Sequence, residues 1–95
     1  MRELGFLILF SCSAEHYVEE GQKALERHEL GIAESHFREA LQKEPTHLEA
    51  LEGIAWTYYL AGQRPAAITA FGRCRELAPE RVGCIRGMAS IAMGN

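Results

Sequence analysis

The sequence predicts an all-α fold, an α-solenoid of antiparallel helix pairs with about two and a half repeats. Three observations predict it. The first is self-similarity: when the chain is shifted by 34 positions, Gly21 falls on Ala55, Ala33 on Ala67, Phe37 on Phe71, Ala40 on Cys74 and Pro45 on Pro79. A fixed period of this kind marks supersecondary units stacked on one another in place of a single closed core. The second is apolar spacing at i, i+3, i+4 and i+7, carried by Leu51, Ile54, Ala55 and Tyr58, with Ala67, Phe71, Cys74 and Ala78 as the facing stripe. The third is punctuation, since each unit reads as two helices with a break between them and a proline at its end. No alternating strand pattern competes.

The elements follow in order. Residues 1–13 form an apolar N-terminal segment, and the repeat domain covers 14–95, divided into 14–47, 48–81 and a partial third unit at 82–95. In the first unit Ala14 to Arg27 is helix A, His28 to Leu30 turn, and Gly31 to Lys43 is helix B before Pro45 stops it. In the second, Thr46 with Glu49 at the third position beyond it reads as a capping box, and Gly62 supplies the left-handed residue that closes helix A. Pro65 suits the first turn of the next helix, where its missing N–H costs nothing, and Pro79 ends that helix. A third helix A is predicted on the stripe Ile85, Met88, Ala89 and Ala92, leaving Cys84, Ile91 and Met93 outside it. That apolar outer surface predicts either that the array continues past Asn95 or that the surface meets a partner or a second copy. Small residues at 21, 33, 55 and 67 let paired helix axes approach closely, and Phe37 and Phe71 fill the space beyond.

These residues at this period resemble the tetratricopeptide repeat. The second unit carries Leu51, Ile54, Ala55, Tyr58, Ala67, Phe71 and Pro79 in register with that pattern. The first keeps Tyr17, Gly21, Ala33, Phe37, Ala40 and Pro45, with Glu20 in place of the usual leucine and Ala24 in place of the usual aromatic. The resemblance implies a protein-interaction scaffold, not an enzyme, whose concave face of A helices receives a peptide or a partner helix. Carried onto this chain, that face bears Val18, Gln22 and Leu25, then Glu52, Trp56 and Tyr59, then Arg86 and Ser90. Of these, Gln22, Glu52, Trp56, Tyr59 and Arg86 are the expected partner-binding residues, with Trp56 and Tyr59 as anchors because large amphipathic rings supply contact area at low entropic cost. Packing of either ring against the next A helix is the competing expectation. The carboxylate clamp that one subfamily uses is missing, since its positions hold Val18, Gln22 and Gly53, with Arg86 alone basic. Glu15, Glu19, Glu49 and Glu52 near this face favour a neutral or basic segment.

Composition limits the alternatives. Ninety-five residues hold one small domain, with 47% hydrophobic and 24% charged residues. A formal net charge of −3 repels phosphate backbones, so no nucleic-acid partner is expected. Histidines at 16, 28, 36 and 47 lie in no metal-binding frame and read as solvated helix-surface residues; no metal, cofactor or catalytic residue is expected.

The start of the chain admits two readings. Leu4 to Phe10 is too short to span a bilayer but long enough for the core of a signal peptide. Leu9-Phe10-Ser11-Cys12 resembles a bacterial lipobox, which implies lipidation of Cys12 and, with Ser13 following, a periplasmic-side position on the outer membrane. Glu3 and the bulky Phe10 depart from that pattern. The second reading is an ordinary apolar helix on a cytoplasmic adaptor or regulatory segment. Cys74 and Cys84 sit at the end of one helix and the start of the next; a disulfide between them goes with export, and reduced core thiols go with the cytoplasm.

Overall fold

A computed structural model describes the backbone of residues 2–94 and the side chains of residues 14–94. Five helices follow one another: α1 (Arg2–Glu26), α2 (Leu30–Lys43), α3 (Leu48–Leu60), α4 (Arg64–Leu77) and α5 (Val82–Met93). Among the described residues there is no strand, and helices adjacent in sequence pack as adjacent pairs. Cys12 and the apolar run Leu4 to Phe10 lie outside the described side chains. Helix α1 runs Arg2–Glu26, longer than the Ala14 to Arg27 helix expected. No helix among the described residues is long and apolar enough to cross a membrane.

The period of 34 recurs in the hydrogen bonds of the turns. Glu29 N donates to Ala24 O at 2.9 Å, and Gln63 N donates to Tyr58 O at 2.9 Å. Ala33 N reaches Glu29 O as Ala67 N reaches Gln63 O, and Glu44 N reaches Ala40 O as Ala78 N reaches Cys74 O. In the α3–α4 turn Gly62 takes φ +80°, the left-handed value that a residue without Cβ adopts freely, and Pro65 lies in the first turn of α4. The equivalent step of the α1–α2 turn is His28 at φ +60°.

One cap differs from the expectation. Helix α3 starts at Leu48, and its N-cap is His47, whose side chain accepts from Ala50 N at 3.3 Å; Thr46 makes no capping box. A residue nearer the first helical turn reaches the third amide, which Thr46 is one position too early to do.

Phe37 and Phe71, both fully buried, close the core between successive helix pairs. A Cβ at Gly21 would come within 2.8 Å of the Phe37 ring, and Cβ atoms at Gly53 and Gly87 would overlap the rings of Phe37 and Phe71. Each ring therefore packs against bare backbone of the neighbouring helix. Chain direction follows from such pairs. Gly21 meets Phe37 while Tyr17 meets Lys43, and Phe71 meets Gly87 while Cys74 meets Cys84, so α1/α2 and α4/α5 are antiparallel. Glu52 lies against Gly83 and the Tyr59 hydroxyl beside Gly94, so α3 and α5 run parallel.

Helix α5 buries a different face from the one expected. Cys84, Gly87 and Ile91 are its buried residues; of the expected stripe Met88 packs half-buried against the core, whereas Ile85 is 45% exposed and Ala89 and Ala92 are exposed. The buried set lies one full period beyond Ala50, Gly53 and Thr57, the α3 positions that turn toward the preceding helices. An A-type helix thus carries two apolar faces, and the periodicity selects the other one.

Candidate functional site

An open groove of about 300 Å³ is lined by Gln22 and Leu25 of α1, by Glu49, Glu52, Gly53 and Trp56 of α3, and by Arg81 at the start of α5. Parallel A-type helices separated by one repeat bring these residues to one side. Gln22, Glu52 and Trp56, expected on a partner-binding face, meet here. The other two do not line it. Arg86 is exposed elsewhere on α5, and Tyr59 packs on the core with its hydroxyl beside Gly94. Val18, expected on the same face, is instead 2% exposed and part of the core.

Trp56 serves two surfaces. Its ring meets Phe71 edge-on at 5.1 Å between centroids and Tyr59 at 5.6 Å, so one edge is anchored in the core while the residue remains half-buried at the groove. A ring fixed on one side loses little freedom when a ligand covers the other.

Arg81 is the functional candidate that the sequence does not bring forward. It is the N-cap residue of α5, and its Nε donates to Glu52 Oε1 at 2.7 Å. The available signal is its position, one period beyond His47, which stands at the same N-cap of α3. His47 Nε2 in turn lies 3.0 Å from Glu15 Oε2 of α1. At both junctions the residue heading one A-type helix reaches back to a glutamate on the previous one.

His47 is not the solvated histidine expected, since only 9% of its side chain is exposed. Because Nδ1 accepts from the Ala50 amide, the neutral ring carries its proton on Nε2 and donates it to Glu15. The donor atoms of Glu15, His47 and Glu49 lie within 4.8 Å of one another. A metal on Nε2 would displace that proton and require the other nitrogen to hold one, which breaks the cap.

The groove is acidic. Glu52 is engaged by Arg81, whereas the carboxylates of Glu49 and nearby Glu15 add negative charge at its mouth. The two remaining cysteines, Cys74 and Cys84, are fully buried and disulfide-bonded, with Cα atoms 6.0 Å apart, and they tie α4 to α5. No family model matches this chain.

Proposed function

We propose that this chain is a non-catalytic protein-interaction module of the tetratricopeptide kind, gripping a neutral or basic peptide segment along the groove of its A-type helices. The observation that carries this reading is the groove itself, in which α1, α3 and the head of α5 place Leu25, Trp56, Glu49 and Glu52 on one side. An apolar ring beside carboxylates suits a lysine or arginine side chain, whose stem packs on the ring while its charge faces the acids. The periodic recurrence of turn bonds and ring contacts from one unit to the next supports the repeat assignment.

Trp56 is the single tryptophan, so its fluorescence reports on the groove directly. Titration with two synthetic decapeptides, alternating leucine with lysine or leucine with glutamate, tests the proposal. The lysine peptide is expected to shift Trp56 emission, with affinity falling as salt rises and falling again in Glu49→Gln. Equal responses to both peptides, or none, count against it.

The buried cysteine bond supports an oxidising compartment; the further proposal of an exported, lipid-anchored form that assists assembly of envelope complexes rests on the lipobox-like Leu9-Phe10-Ser11-Cys12. Mass spectrometry of the N terminus, after expression with its own leader, is expected to show diacylglyceryl Cys12. An intact Met1 favours the cytoplasmic adaptor.

A further inference from the structure

We infer that the outer face of α5 is a docking surface for one amphipathic helix of another polypeptide, a helix carrying the apolar pattern of α4. The face consists of Val82, Ile85, Ala89, Ala92 and Met93, of which Val82 is 61% and Met93 81% exposed. Only Arg86 carries charge on this helix.

What covers such a face is shown one repeat earlier. The five residues stand 34 positions after Leu48, Leu51, Ala55, Tyr58 and Tyr59, so each of these apolar positions on α5 has an apolar or aromatic counterpart on α3. On α3 that surface is occupied: Leu51 and Ala55 are buried, Leu51 clustering with Cys74, and Ala55 sharing the core with Ala67, Ala70 and Phe71 of α4. The exposed face of α5 continues an interface the chain already builds. Its small centre, Ala89, corresponds to Ala55, so the incoming helix would present an alanine there and an aromatic residue four positions later, as Ala67 and Phe71 do. The disulfide from Cys84 to Cys74 holds α5 so that this face stays turned outward.

The inference is independent of the groove. Nuclear magnetic resonance of the full labelled chain, titrated with an unlabelled peptide of the sequence of residues 62–79 carrying Cys74→Ser, tests it. Saturable shifts confined to α5 are expected, with Trp56 indole unmoved and affinity reduced about tenfold or more by Ala89→Lys, a change at an exposed position. Joining the same segment to the C terminus by a flexible linker raises its effective concentration, and slower amide exchange in α5 is the expected result. Shifts at α3 or in the groove, insensitivity to Ala89→Lys, self-association through α5 without peptide, or no response in both formats would overturn the inference.

Discussion

His28 and Gly62 occupy the same step of the two helix-pair turns, at φ +60° and +80°. A left-handed backbone costs a residue with a Cβ about 1–2 kcal/mol, and the glycine avoids most of that. His28→Gly gives back some of this gain through the more flexible unfolded chain, so a net stabilisation of about 0.5–1 kcal/mol is expected from denaturant melts. A loss would show that the histidine side chain contributes to the turn. At the same scale, Gly53 and Gly87 stand one period apart and receive the rings of Phe37 and Phe71. Neither belongs to the repeat as read from sequence, because the first unit has Glu19 at that step and the small-residue match runs through Gly21, Ala33, Ala55 and Ala67. Thr57, one turn beyond Gly53, shows the same economy: buried at 1% exposure, it donates to the Gly53 carbonyl at 2.8 Å and leaves its hydroxyl paired.

The helices themselves are largely legible, since α2, α3 and α4 begin and end within one or two positions of the bounds read from the sequence, where Pro45, Gly62, Pro65 and Pro79 act through local backbone preferences. The orientation of α5 is not. Its sequence supports two apolar faces, and which one is buried depends on the neighbours present, here α3 and α4 on one side. That helix is held by the Arg81–Glu52 ion pair, by the packing of Phe71 on Gly87 and by the cysteine bond. Closing a loop from Cys74 to Cys84 restricts the unfolded chain by about 2–3 kcal/mol. Replacing both cysteines by alanine is therefore expected to lower stability by about that amount, with hydrogen exchange accelerating first in α5. Unchanged melting under reducing conditions would show that the bond adds nothing to the fold.

For the whole molecule, the parallel run of α1, α3 and α5 decides where the groove forms. The groove needs one residue set from each of three segments far apart in sequence, and two of its members, Arg81 and Glu52, are joined across that distance by an ion pair. Gln22, Glu52 and Trp56 are expected together because the resemblance to the tetratricopeptide repeat implies one shared face for them. Arg81 and the displacement of Tyr59 and Arg86 depend on how the third A-type helix sits against the second. The expected preference for the lysine peptide belongs to this scale, because the acidic field sums contributions from α1 and α3 that neither helix supplies alone. Salt dependence of Trp56 quenching measures that sum.

The order of amino acids by itself determined the helical class, the repeat period and the turns, because prolines, glycines and apolar spacing act within a few bonds of where they stand. Tertiary packing alone decided that His47 and Arg81 reach back to the preceding A-type helix, that two fixed rings seat on Gly53 and Gly87, and which face of α5 remains open. Those outcomes follow from contacts between segments that are distant along the chain, whose energies exist only once the helices have met.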